Sequence, residues 1–215
     1  MPLPLLALAG AVVGAALGWW PLHVWAARSV KTSTVGRAAR IASAAATAAS
    51  FALLVWRLAD GSDAPALPAA LAFAAVAVVL GVVDVLEKRL PNTTIATMLG
   101  ALAVALVLAA ALTGEWSRLL GALVGAAVMF ALYLILALIS PRSMGMGDVK
   151  LAAPLGLLLG WFGLEPWLFG LLSAFVCGGV VAVVMIAARR TTLRGSLPFG
   201  PSMLVGALIG VLIAG

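Results

Sequence analysis

The chain has 215 residues, of which 65% are hydrophobic and 9% are charged, and its mean hydropathy is +1.22. Soluble domains average about 25% charged residues, so this composition excludes a soluble globular domain, a coiled coil and a disordered chain. The formal net charge of +6 indicates loop orientation in a membrane protein rather than a nucleic-acid partner.

Eight apolar tracts follow one another along the chain. Their approximate bounds are 3–22, 41–58, 66–86, 93–113, 118–140, 148–164, 167–188 and 198–214. They are rich in Ala, Leu and Val without alternation, which predicts helices rather than barrel strands. Most are long enough to cross about 30 Å of hydrocarbon. We therefore expect a single all-α domain over residues 1–215, a polytopic transmembrane helical bundle with seven or eight hydrophobic segments.

Two tracts have unusual features. The first has no positive residue before its apolar run, so we expect a membrane span and not a cleaved signal peptide. The tract 148–164 contains Pro154 and rises only about 25 Å as a helix. We expect it to span only if it is recessed or if the bilayer thins locally.

Glycines recur at four-residue spacing in three of the tracts, a pattern that predicts closely packed helix pairs. These glycines are Gly10, Gly14 and Gly18; Gly121 and Gly125; and Gly206 and Gly210.

The loop charges predict the orientation of the bundle. If the N-terminus lies outside, the inner connections hold Arg28, Lys31, Arg37, Arg40, Lys88, Arg89, Arg142, Lys150, Arg189, Arg190 and Arg194. The outer connections hold Arg57 and Arg118, together with Asp60, Asp63, Glu115 and Glu165. This asymmetry follows the positive-inside rule, and the run over 28–40 is also expected to contact anionic lipid.

Asp84 is one of three acidic residues on the predicted inner side, with Glu87 and Asp148. It closes the apolar run LAFAAVAVVLGVVD. A carboxylate there is costly, about 2.5–3.5 kcal/mol at the bilayer midplane and less near the edge, so such residues usually face a partner or a water-filled cavity. A terminal carboxylate that pairs with Lys88 or Arg89 is an equally good interpretation of this residue alone.

Asp148 lies in the stretch SMGMGDVKLAAPLG, directly after Gly145 and Gly147. Glycines at these positions permit backbone conformations closed to other residues and the close approach of another segment. We expect Asp148 to start a helix, whose positive end stabilises a carboxylate. An ordinary N-cap role explains this residue equally well when it is considered alone.

The two aspartates map to the same face of the membrane on different helices. Carboxylates brought close together share a proton, so one serves as a base towards water and the other as an acid towards a carbonyl. This is aspartic-protease chemistry, and it needs no metal or cofactor. A metal site built from the same carboxylates is an open alternative, whereas we interpret the lone His23 as an interfacial structural residue.

Three motifs resemble those of the type 4 prepilin peptidases, in the same order and with similar spacing over about residues 70–215. They are GMGD at 145–148 with its continuation VKLAAPLGLLLGW, Asp84 with the following VLEKRL and Pro91-Asn92, and SLPFGP at 196–201. The resemblance implies an aspartyl peptidase of the bacterial inner membrane, with lipid around it and its active site facing the cytosol. Members cut the short basic leader from prepilins or prepilin-like proteins, just before the hydrophobic segment.

The resemblance also assigns roles to single residues. Asp84 and Asp148 match the catalytic pair, and Gly145 and Gly147 match the motif glycines. The neighbouring residues Lys150, Pro91 and Asn92 match positions with structural or orienting roles. The family implies no cofactor, and it specifies neither the particular prepilin, the residues that read the leader nor the oligomeric state.

The chain departs from many members of that family in its first inner connection, about 23–40, which is short and has no cysteine. Those members carry four cysteines in a cytosolic domain associated with N-methylation, so methyltransferase activity is not part of our expectation. Two other functions compete with the peptidase. One is a proton-coupled transporter or channel, and the other is a non-catalytic assembly protein of a secretion machine.

Overall fold

The computed structural model describes residues 2–31, 34–140, 144–188 and 198–214. Over these ranges the chain forms nine α-helices, and a short 3-10 turn, Ala64–Ala66, precedes the fourth. The helices are α1 Leu3–Trp19, α2 Pro21–Ser29, α3 Arg37–Leu58, α4 Leu67–Glu87, α5 Asn92–Thr113, α6 Trp116–Ile139, α7 Met146–Phe162, α8 Leu164–Ala187 and α9 Gly200–Ile213. The predicted all-α class is confirmed. Some residues of the sequence predictions lie outside the described ranges: Arg142, Arg189, Arg190, Arg194, Ser196 and Leu197.

Each of the eight predicted tracts corresponds to a helix. Six stretches within the described ranges are long and apolar enough to cross a membrane: Leu3–Ser29, Arg37–Leu58, Ala64–Glu87, Asn92–Thr113, Trp116–Ile139 and Leu164–Ala187. Helices α7 and α9 are shorter, with 17 and 14 residues. The chain is therefore a multi-pass membrane protein.

The first inner connection contains a helix that the hydropathy pattern does not predict, since α2 occupies its first part. Pro21 cannot continue the hydrogen-bond ladder of α1, and it suits the first position of a new helix. Leu22 and Ala26 of α2 are buried against Val79 of α4. The sequence predicts only a short inner connection over about 23–40, and the structure shows that its part up to Ser29 is helical.

Helix α7 lies in the interior of the bundle. Eleven of its 17 residues are buried, including Pro154, and they cover every side of the helix. Its neighbours are α5, α6, α8 and α9. Because protein surrounds this helix, its length is not set by the lipid thickness alone, and an internal proline is accommodated by neighbouring helices. This explains how so short a tract fits into the bundle.

Glycines hold three helix pairs at close range, as the four-residue spacing predicts. Between α1 and α3, a Cβ atom added at Gly14 would lie 2.6 Å from the Thr47 carbonyl oxygen. Between α8 and α9, a Cβ atom added at Gly206 would lie 2.6 Å from the Gly170 carbonyl oxygen. The pair α6 and α7 packs in the same manner. Close packing of small residues is the usual means of joining helices in lipid, and the prediction is confirmed.

Contacts between helix ends divide the connections into two groups, one at each end of the bundle. One end, here called the opposite end, holds Arg118, whose guanidinium lies 2.6 Å from Asp63 and 3.1 Å from Glu115. At the same end Arg57 donates a hydrogen bond of 3.1 Å to the Leu212 carbonyl. The other end, here called the basic end, holds seven described cations. They are Arg28, Lys31, Arg37, Arg40, Lys88, Arg89 and Lys150.

Candidate active site

Asp84 lies in the last turn of α4, at the basic end, and is only 4% exposed. Its Oδ2 atom accepts a hydrogen bond of 3.1 Å from the Gly200 backbone N–H. Gly200 is the first residue of α9, where backbone N–H groups have no partner within the helix and the helix dipole favours a negative charge. The carboxyl group is therefore held inside the protein by another helix, rather than extended towards the surface.

Asp148 lies in the first turn of α7 and is half-buried. The helix begins at Met146 with Gly145 as its N-cap, so Asp148 is the third helical residue. The expectation that Asp148 itself starts the helix is wrong by two positions. The Asp148 Oδ2 atom accepts a hydrogen bond of 3.2 Å from the Gly145 N–H, which satisfies a free donor of the helix start.

The buried side chain of Leu90 connects the surroundings of the two aspartates. A Cβ atom added at Gly147 would lie 3.1 Å from Leu90 Cβ, and one added at Gly200 would lie 3.2 Å from Leu90 Cδ2. Helices α4, α7 and α9 thus bring the two acidic groups to one end of the bundle.

The chain reverses between Asp84 and α5 through a tight turn. Lys88 caps α4 in the left-handed conformation, with φ of 50°, and Pro91 is the N-cap of α5. Asn92 then opens α5, and its side-chain oxygen accepts a hydrogen bond of 3.0 Å from Lys150 Nζ on α7. The contact between Asn92 and Lys150 therefore joins the Asp84 segment to the Asp148 segment.

Glu87, the third acidic residue of this end, takes part in a different contact network. Its carboxylate lies 2.5 Å from Arg89 Nε and accepts a hydrogen bond of 2.6 Å from the Lys31 backbone N–H. Arg89 also donates a hydrogen bond of 2.6 Å to the Ser29 carbonyl. These contacts attach the end of α2 to the end of α4, so Glu87 has a structural role in the fold.

An aromatic cluster packs beside the start of α9. The ring centroids of Tyr133, Phe175 and Phe199 lie 5.6 to 6.5 Å apart. Tyr133 is 1% exposed. Phe199 directly precedes Gly200, so the cluster supports the segment that holds Asp84.

The sequence alone predicts no functional role for Leu90, Tyr133 or Gly200. The motif at 196–201 contains Gly200, but only the folded chain shows that its N–H faces Asp84. Tyr133 is the only tyrosine of the chain, and no spacing or neighbouring motif marks it. Within the described ranges, no group of three or more His, Cys, Asp or Glu residues is placed to hold a metal ion.

Gly200→Ala is expected to displace the Asp84 carboxyl group, because the added Cβ would lie 2.7 Å from Asp84 Oδ2. If Asp84 acts on a substrate, a displacement of this kind should lower the rate of cleavage by about tenfold to a hundredfold. The rate is measured with the substrate that the family resemblance implies, a prepilin, in membranes that contain equal amounts of each variant. Gly179→Ala is the control, since a Cβ there meets nothing within 4 Å. Equal rates for the two variants would show that the Gly200 contact has no part in activity.

The fold and the site together define a multi-pass helical membrane protein that holds Asp84 and Asp148 at one end, on different helices. The family model of the type IV leader peptidase family matches residues 71–183, more than half of the chain. The chain belongs to this family, which confirms the resemblance seen in its motifs.

Curated relatives match a shorter region. The prepilin leader peptidase/N-methyltransferase of Pseudomonas putida is 33% identical over 93 residues, and that of Aeromonas salmonicida (strain A449) is 36% identical over 94 residues. The protein of the same name from Aeromonas hydrophila is also 36% identical over 94 residues. In each case the match covers 43% of this chain and 31% of the relative, so the chain aligns with about a third of their length. No solved structure matches the chain significantly.

Proposed function

We propose that this chain is a membrane-embedded aspartic endopeptidase that removes the N-terminal leader of type 4 prepilins or prepilin-like proteins. The observation that supports the proposal most is the placement of Asp84 and Asp148 on different helices at one end of a bundle of this family. The proposal is limited to leader removal. The second activity in the name of the relatives is left aside, because the match covers 31% of their length.

In the proposed reaction, one carboxylate accepts a proton from a water molecule while the water oxygen attacks the carbonyl carbon of the scissile peptide bond. The other aspartate, in its protonated form, donates its proton to the carbonyl oxygen. The tetrahedral intermediate then collapses and the C–N bond breaks. The carboxyl group that took the proton from water gives it to the departing nitrogen, and one hydroxyl of the intermediate returns its proton to the other carboxylate, which restores the pair. Gly145, Gly147, Pro91, Asn92 and Lys150 are positioning residues in this scheme.

The same proposal assigns a location. Seven described cations lie at the basic end and two, Arg57 and Arg118, lie at the opposite end. By the positive-inside rule the basic end faces the cytosol of a bacterial inner membrane. The polar leader of the substrate would then meet the aspartates at the cytosolic surface, while its hydrophobic segment stays in the bilayer.

Co-expression with a prepilin tests the proposed function. In a bacterial host that lacks its own prepilin peptidase, we expect membranes with the chain to contain shortened pilin and membranes without it to contain the full-length precursor. The size of the pilin is measured by immunoblot. Full-length precursor in both membranes would contradict the proposal. Proton flux into proteoliposomes that contain the purified chain would then favour the transporter instead.

A further inference from the structure

An apolar groove of about 360 Å³ lies between α3, α4 and α9, and neither Asp84 nor Asp148 is among its lining residues. On α4 it extends from Phe73 to Leu86, which is about 20 Å of helix. Ala46, Val85 and Val205 are among its lining residues and are exposed, so the groove opens towards the lipid. Its length matches that of an apolar helix of about 13 residues.

One end of the groove lies next to the segments that hold Asp84. Gly81 and Val85 line it and lie on either side of Asp84 along α4. Pro201 also lines it and directly follows Gly200, the residue that donates a hydrogen bond to Asp84. An apolar helix in the groove would therefore have one end at the level of Asp84.

The chemistry of the groove suits another helix. Eight of its seventeen lining residues are Ala, Gly or Ser, and small residues allow two helix backbones to approach closely in lipid. The Ser43 hydroxyl donates a hydrogen bond of 2.8 Å to the Ala39 carbonyl, so it is satisfied within α3. Gly81 leaves room in the groove, since a Cβ added there would meet only Leu204 Cδ1, at 3.9 Å.

We propose that this groove binds the apolar helix of the prepilin, and that it thereby places the scissile peptide bond at Asp84 and Asp148. The inference rests on the proposed function, in which the cut lies directly before a hydrophobic segment. A substrate helix is favoured over a lipid chain because the groove ends beside a residue of the proposed catalytic pair. A groove that bound only lipid would have no functional reason to end beside Asp84.

Filling the groove tests the inference. Gly81→Phe and Ala46→Phe are each expected to raise KM for a full-length prepilin by about tenfold or more, with little change in kcat, because they remove binding energy and not catalytic groups. Ala46 lies on α3, so its effect does not depend on a disturbance of α4. Gly100→Phe is the matched control. Gly100 lies at a similar depth on α5, is exposed and has nothing within 4 Å of an added Cβ.

Crosslinking provides a test that does not depend on rates. In a Cys177→Ala, Asp84→Asn chain, Ala46→Cys is expected to form a disulfide with a cysteine placed in the hydrophobic segment of the prepilin. Val128→Cys on the exposed face of α6 is expected to form none. If wild-type protein cleaves prepilin while both groove variants keep its KM, or if Val128→Cys crosslinks as well as Ala46→Cys, the groove proposal is wrong and the peptidase stands. If wild-type protein does not cleave prepilin, it is the proposed function that fails.

Discussion

Asp84→Asn and Asp148→Asn are each expected to lower prepilin cleavage by about 10²–10⁴-fold, the usual contribution of a general acid or base. Asn has almost the same shape as Asp, and its amide oxygen still accepts the hydrogen bond from Gly200 or Gly145. The fold should therefore remain intact while proton transfer is lost. The measurement is kcat/KM for the same prepilin with equal amounts of inserted protein.

The two substitutions should also act on one step. If the carboxyl groups work as a unit, the double variant loses no more activity than either single variant. Asp60→Asn is a suitable control, because Asp60 is exposed and follows α3 at the opposite end of the bundle. Wild-type cleavage by either single variant would refute the proposed pair, as would a loss in the double variant equal to the product of the two single losses.

Gly156→Val is expected to destabilise the bundle by about 1–3 kcal/mol, the usual cost of overpacking. An added Cβ at Gly156 would overlap with the Gly125 carbonyl oxygen and lie 2.8 Å from Met129 Cβ. Because α7 is central and carries Asp148, a shift between α6 and α7 should also lower cleavage. The measurement is the thermal unfolding midpoint of the purified protein in detergent.

Gly100→Val is the matched control for this prediction. Valine replaces glycine within a helix in both variants, so the difference in helix propensity is the same. At Gly100 the added Cβ meets nothing within 4 Å. The two variants therefore differ only in whether the new side chain collides with a neighbouring helix. If both variants unfold at the same temperature, close packing of α6 on α7 is not a source of stability.

Much of the architecture follows from the sequence because lipid imposes simple rules. Every helix that crosses the bilayer must be long and apolar, so the tracts predicted from hydropathy correspond to the observed helices within a few residues. The glycine spacing predicts the close helix pairs, since only small residues let backbones approach in lipid. By contrast, α2 was missed because its short, half-buried pattern resembles a loop with cationic residues.

The site is only partly encoded in local sequence. The motifs at 84–92 and 145–148 mark the two aspartates and their neighbours, because helix ends and glycines leave a local pattern. Gly200 and Asp84, which are in contact, lie 116 residues apart in the chain. Leu90 and Gly147, which pack against each other, are separated in the chain by α5 and α6. No spacing rule gives such contacts, which arise from how α4, α7 and α9 pack. The central position of α7 is likewise a result of packing.

The most direct measurement uses purified protein in lipid nanodiscs and a purified prepilin, with the products identified by mass spectrometry. The proposed reaction predicts two products for the wild-type protein, cut directly before the hydrophobic segment, and intact prepilin with the Asp84→Asn/Asp148→Asn variant. Intact prepilin with the wild-type protein, or the same two products with the double variant, would contradict hydrolysis by these two aspartates.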